Sequence, residues 1–281
     1  MPARSPTASR IVVRGPVPSE ARQARPAVNR GLKIMLLQLA TWPEVETYLE
    51  SSTAVVVPIG STEQHGPNGL IGTDAICAET IAREMSSRID VLVGPTLAVG
   101  MAQHHLAFPG SIALKPSTLL ALVRDVVESL LCHGFSHLYF LNGHGGNVAT
   151  VGAAFSEVWS ARSFAGSSRA TPRLRLRNWW TGARVMALSA ELFGDAEGSH
   201  ATPSEVSLSW YAHADAVKDV SLTPEQAPDG VIRDAADYRR LFPDGRIGSN
   251  PGLASVAHGE RILAAALEDA LEDFQRFTEA D

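Results

Sequence analysis

The sequence predicts an α/β protein in three layers, with a mostly parallel central sheet covered by helices on both faces. Three observations carry this expectation. Short apolar runs of strand length alternate with longer stretches of helical period. One run, Ala54–Ile59, is apolar throughout, as a strand buried on both faces requires. Polar motifs gather just past the ends of the runs, where parallel sheets present their functional groups.

Residues 1–34 stand apart. They carry Arg4, Arg10, Arg14, Arg22, Arg25 and Arg30, five prolines and one acid, Glu20. An Arg-rich, acid-poor segment can be a transit peptide; a disordered leader or an extension upstream of the true start fits better. A single domain is expected over residues 35–281, opening with Met35. Ala54–Ile59 is the first strand. Asp74–Arg88 follows with Ile76, Ala78, Ile81, Ala82 and Met85 at helical spacing. Val91–Val93 is a second strand, closed by Gly94-Pro95. Ser117–Gly134 is helical, with Leu119, Val123, Val127 and Leu130 among its apolar positions. Leu138–Leu141 is a third strand and Asn147–Arg162 a third helix. Arg173–Trp180 alternates like a strand, and Ser204–His213 and Ser255–Phe274 are helical. Residues 216–250, rich in Pro, Gly and Asp, read as an extended loop or an arm crossing to a neighbour.

Composition narrows the function classes. The chain has 281 residues, 45% hydrophobic and 19% charged, enough for a sizeable core. A net charge of −6, with no basic stripe after the leader, argues against nucleic acid as a partner. Cys77 and Cys132 form no close pair, which fits a reducing compartment. No apolar run is long enough to cross a bilayer, so no membrane role and a cytoplasmic location are expected.

The segment AVVVPIGSTEQHGPNGLIGTD, residues 54–74, offers Glu63, His65 and Asp74 just past a strand end. Carboxylate, imidazole and carboxylate together are divalent-metal ligand types; a polar loop with Asp74 opening a helix is the plainer reading. LNGHGGN, residues 141–147, frames His144 with glycines that permit close backbone approach. The amides of Gly145, Gly146 and Asn147 lead into a helix N-terminus, a ready site for developing negative charge. In GMAQHHLAFPG, adjacent histidines of an extended segment point opposite ways, so His105 is expected to face the site and His104 to turn away. A loop histidine packed on Phe108 is the alternative for His105. Trp179 and Trp180 suit a small planar substrate, although core packing is common for such residues. Glu205 reads equally as a ligand and as a first-turn carboxylate facing the helix dipole.

Together these residues resemble the creatininase (creatinine amidohydrolase) family. The resemblance rests on VPIGSTEQHGPNGLIGTD, GMAQHHLAFPGSIAL, LNGHGGN, NWW and SHATPSEVS, in that order, with a weaker match in GSNPGLASVAHGERIL. It implies a three-layer creatininase-like α/β fold and two divalent metal ions per subunit. It also implies Glu63 and His144 on one metal, His65 on the other, Asp74 bridging, and His200 as the proton donor. Creatininase itself follows its NGH-type histidine with Tyr-Glu, the glutamate binding the second metal; here Gly145-Gly146 stand there. That departure points to the NGHGGN branch, similar to formylamide deformylases and mycofactocin-associated peptidases, with Glu205 expected to complete the site. The resemblance further implies a homo-oligomer, a hexamer.

The expected function is metal-dependent amidohydrolysis, in which a metal-activated hydroxide cleaves a C–N bond of a small amide, cyclic amide or formamide. Two alternatives stand beside it: a peptidase-type member of the family, and a non-catalytic metal- or ligand-binding protein on the same fold. Mixed nitrogen and oxygen ligands suit zinc, manganese or iron(II), with zinc favoured by the Irving–Williams order.

Overall fold

The computed structural model describes residues 34–168 and 170–279. The expected leader, apart from Ile34, lies outside the described residues. In chain order the elements are β1 (Met35–Leu36), α1 (Trp42–Leu49), β2 (Ala54–Ile59), α2 (Thr73–Arg88), β3 (Leu92–Val93), α3 (Pro116–Cys132), β4 (His137–Asn142), α4 (Asn147–Phe164), β5 (Arg173–Asn178), α5 (Ala183–Phe193), α6 (Pro203–Ala212), α7 (Ala235–Leu241) and α8 (Val256–Glu279).

The five strands form one sheet in the order β1-β3-β2-β4-β5. All four pairings are parallel, with Val56 opposite Val93 and Tyr139, and Ile59 opposite Asn142. Alternation along the strands divides the core in two. Val55, Val57, Leu138 and Phe140 pack with α1, α3 and α4 through Tyr48, Leu119, Val123 and Val151. Val56, Tyr139 and Leu141 face the other way, onto Ile81 of α2, Leu208 of α6 and Ile262 of α8. Every residue of β2 is buried, which explains its unbroken apolar sequence. The chain leaves β2 through α2 to β3 on one side, then crosses through α3 to β4 on the other. The connections therefore diverge between β2 and β4, and a crevice opens at the carboxyl ends of those strands.

The expected strand over 173–180 is shorter than its alternation implies. It ends at Asn178, and Trp179–Thr181 form a 3₁₀ turn. The expected extended loop over 216–250 also needs correcting, because it contains α7 and folds back on its own chain. Arg246 is completely buried there, pairing with Asp244 at 2.7 Å and donating to the Pro224 and Glu225 carbonyls. Ile247 exchanges backbone hydrogen bonds with His200. Helices α1 and α5 were not expected from the sequence. Among the described residues no helix is long and apolar enough to cross a membrane.

Candidate functional site

Close backbone packing at the ends of β2 and β4 brings the site together. A Cβ at Gly60 would lie 2.4 Å from Ala75 N, and one at Gly143 would lie 2.0 Å from Asp74 O. Only glycine lets both strand ends abut the first turn of α2, so Asp74 is delivered between them. After Gly60 the chain carries Glu63 and His65 along a segment pinned by Glu63 N donating to Ile71 O at 2.8 Å. After β4, Asn142 clamps the turn: its Oδ1 accepts from His144 N at 3.1 Å and its Nδ2 donates to His144 O at 2.7 Å.

Glu63, His65, Asp74 and His144 are all buried and meet in one cluster. His65 Nε2 lies 3.0 Å from Asp74 Oδ1 and 3.9 Å from Glu205 Oε1. His144 Nδ1 lies 3.1 Å from Asp74 Oδ2 and 3.3 Å from Glu63 Oε1. Two sets of ligand-type atoms result, Glu63–Asp74–His144 and His65–Asp74–Glu205, each within 4.8 Å and both containing Asp74. A third such set joins Glu63, His65 and His200.

The remote ring nitrogens decide what these histidines present. His65 Nδ1 sits 3.1 Å from the Glu63 carbonyl, and His144 Nε2 sits 3.1 Å from the Met101 carbonyl. A carbonyl only accepts, so each remote nitrogen carries a proton; in the neutral ring the near nitrogen then offers a lone pair to the carboxylates. Lone pair facing carboxylate is repulsive unless a proton or a cation lies between. Both oxygens of Glu63 and Oδ2 of Asp74 are buried without an aligned hydrogen-bond donor; the ring nitrogens of His105 and His144 approach Glu63 off-line. Buried, undonated carboxylate oxygens beside oriented imidazoles fit a divalent cation set.

Electrostatics carry the same signature. Burial works against a charged His65, but Asp74 and then Glu205 outweigh it and raise its pKa to about 10. His144 rises to about 9, because Glu63 and Asp74 overcome its burial. Asp74 is held below the usual carboxylate range: burial pushes it up, but His65 and His144 prevail. Burial lifts Glu205 to about 7 even with His65 pulling it down. His200, pushed well down by burial and then by His105 and His65, is a neutral imidazole. The cluster thus attracts positive charge.

A cavity of about 790 Å³ opens onto the cluster. His105, Gly145, Gly146, Trp179, Trp180, His200 and Glu205 all line it. Glu205 caps its helix and also lies among the ligand-type atoms around Asp74. Its Oε1 accepts from Thr202 N at 2.6 Å, closing a capping box on α6, and the same carboxylate belongs to the His65–Asp74 set. Asn147, expected to bind substrate, is fully buried instead. Its amide donates to Gly60 O at 2.9 Å and accepts from Met101 N at 3.1 Å, so it ties loops together. The expectation that His104 turns away also fails. Gln103–His105 is a 3₁₀ turn rather than an extended segment, and both histidines line the cavity. His105 is the buried one, with Nε2 3.1 Å from Glu63 Oε1. Sequence reasoning missed Tyr238, which α7 buries against His105, and Gln64, whose amide lies beneath the histidines. Position between Glu63 and His65 was the only available signal for Gln64.

The family model described as creatinine amidohydrolase matches residues 38–274. A mycofactocin precursor peptide peptidase of Mycobacterium ulcerans (strain Agy99) is 26% identical over 251 residues, covering 85% of this chain and 87% of that protein. A 3-dehydro-scyllo-inosose hydrolase of Thermotoga maritima is 24% identical over 254 residues, covering 86% and 78%. A solved creatininase with manganese superposes with a TM-score of 0.75 at 25% identity, covering 89% of this chain and all of that one (100%). A mutant creatininase of Zn-Zn type, at 24% identity, also gives 0.75 and shares the fold. The relatives carry hydrolase names, and the match of the family model over nearly the whole described region places this chain in the creatininase family.

Proposed function

We propose that the protein is a metal-dependent amidohydrolase that cleaves the C–N bond of a small amide, cyclic amide or formamide. The observation that carries this reading is Asp74, shared between two sets of ligand-type atoms, all buried but Glu205, whose imidazoles are oriented by backbone carbonyls. Glu63, Asp74 and His144 would hold one divalent cation, and His65, Asp74 and Glu205 a second. Such a pair, when bound, supplies a water acidic enough to ionise near neutral pH and a Lewis acid for the substrate carbonyl.

The protein's own groups account for the remaining chemistry. His200 turns Nδ1 toward the cluster, 3.8 Å from Glu63 Oε1, with Nε2 on the Gln64 carbonyl at 2.8 Å. In this reading Nδ1 takes the proton lost by the attacking water and returns it to the departing nitrogen. The amides of Gly145 and Gly146, at the N-terminus of α4, face the charge that develops on the carbonyl oxygen. Trp179 and Trp180 form an aromatic wall for the substrate.

Hydrolysis of a peptide C–N bond is the second reading. It is favoured by the cavity of about 790 Å³, roomy for a formamide, and by the peptidase names of the mycobacterial relatives. The test is a hydrolysis screen of creatinine, formylated amines, small lactams and short peptides on protein loaded with zinc, manganese or iron(II), with elemental analysis alongside. Turnover that depends on bound metal is expected. Stoichiometric metal with no turnover on any amide would turn the reading toward a non-catalytic binding protein.

A further inference from the structure

Gln64 lies between Glu63 and His65, yet its side chain points away from the cation sets into a polar nest of its own. Its orientation is unambiguous. Oε1 lies 2.8 Å from Gly66 N, which can only donate, and Nε2 lies 2.9 Å from Gly245 O, which can only accept. Nε2 also lies 3.0 Å from His105 Nδ1, 3.0 Å from His200 Nε2 and 3.1 Å from the Tyr238 hydroxyl. Four neighbours compete for two hydrogens.

Counting donors narrows the competition. Gly245 O takes one hydrogen and accepts a second bond from the Tyr238 hydroxyl at 2.7 Å. His200 Nε2 lies between the Gln64 carbonyl at 2.8 Å and the amide nitrogen at 3.0 Å; the shorter contact is to a group that only accepts, so a proton on Nε2 directed at that carbonyl satisfies it and the amide does not donate there. The second hydrogen is left to His105 Nδ1 and to the Tyr238 hydroxyl oxygen, both within reach. That nitrogen must be bare, because a proton on it would meet an NH₂ group. We propose that Gln64 is a positioning residue that fixes both histidines as Nε2–H tautomers, its side chain acting on His105 and its carbonyl on His200. His105 then carries its proton on Nε2, which lies 3.1 Å from Glu63 Oε1 but off the line of a hydrogen bond, and His200 keeps its Nδ1 lone pair toward the cluster. Because Gly245 O and Tyr238 complete the same nest, the segment after α6 is tied to both histidines through one amide.

The tautomers are a property of the fold, while their effect on turnover rests on the two-cation reading proposed above. Long-range ¹H–¹⁵N spectra of ¹⁵N-histidine-labelled, zinc-loaded wild-type protein test the assignment without any variant. Nε2–H patterns for both His105 and His200 are expected, and an Nδ1–H pattern for either would overturn the proposal. Gln64→Glu presents a carboxylate where His105 requires a donor, so it should convert His105 to the Nδ1–H form. Affinity for zinc or kcat should fall roughly 10–100-fold, the usual effect of losing a partner one step from a metal site. Unchanged His105 signals in a folded Gln64→Glu protein would also overturn it. Assigned tautomers in a protein without amide turnover would count against the proposed function and still support the role of Gln64.

Discussion

Asp74 divides the cluster into a Glu63–His144 side and a His65–Glu205 side, and the two flanking carboxylates differ in what else they do. Glu63 is completely buried, and neither of its oxygens has an aligned donor. Glu205 is partly exposed, and its Oε1 already accepts from Thr202 N at 2.6 Å as half of a capping box. A carboxylate with no donor gains the full interaction from a cation, whereas one already hydrogen-bonded shares its charge with the helix terminus. In the proposed two-cation site the Glu63 side should therefore be the tighter position, and the Glu205 side the weaker and more exchangeable one.

Removing the residue common to both sides has the largest expected effect. Asp74→Ala should lose both ions by elemental analysis and lower amide turnover by roughly 10³-fold or more, since cation chemistry supplies several kcal/mol of transition-state stabilisation. Full metal content in Asp74→Ala would sink the shared-carboxylate arrangement. Glu63→Gln and Glu205→Gln then separate the sides. Glutamine at the third helical position still closes a capping box, so Glu205→Gln removes charge and keeps the cap. It should retain the Glu63-side ion, release the other, and lower activity by at least about 100-fold, the upper end for a residue one step removed from a metal. Thr202→Ala is the control: it should cost about 0.5–2 kcal/mol of stability as a lost N-cap, with both ions still bound. If Glu205→Gln holds two ions at wild-type affinity, Glu205 is a cap and nothing more.

The same contrast runs through what the sequence disclosed. Glu63, His65 and His144 follow the ends of buried strands and Asp74 opens the next helix, so a local pattern was enough to bring them forward. The sheet was equally legible, because continuous apolar runs such as Ala54–Ile59 have few alternatives to a strand buried on both faces. What stayed hidden depends on distant partners or on local turns. Gln64 acquires its role from Tyr238 and Gly245, 174 and 181 residues away. His104 was turned away on the premise of an extended backbone, which the 3₁₀ turn at Gln103–His105 removes. The Pro- and Gly-rich composition of 216–250 masked α7, although Tyr238 within it is completely buried. For Glu205 spacing alone supported two readings; the structure shows the capping box and sets the same carboxylate beside His65 and Asp74, where the ligand reading would need it.

The smallest effect expected is a pH dependence of stability, and it sharpens the comparison by reporting the protons that stand where cations would bind. In cation-free protein His65 titrates at about 10 and His144 at about 9, both above the unfolded value of about 6.5. Between the unfolded and folded pKa values the native state holds more protons, so stability is fully present below about pH 6.5 and is lost as pH rises through 9 to 10. Glu205, raised to about 7, adds a loss of the same sign as pH climbs through neutrality. His105, depressed to about 2 by burial, works in the opposite direction and weakens the fold only as pH falls below about 6.5. The cation-free protein should therefore melt several degrees lower at pH 9 than at pH 6.5. Zinc should reverse that order, because at higher pH it no longer has to displace protons from its ligands, and its stabilisation grows with affinity. Glu205→Gln should keep the part of this response that belongs to His144 and the Glu63 side. Equal zinc stabilisation at the two pH values would show that binding displaces no protons, and the two imidazoles would then not be ligands.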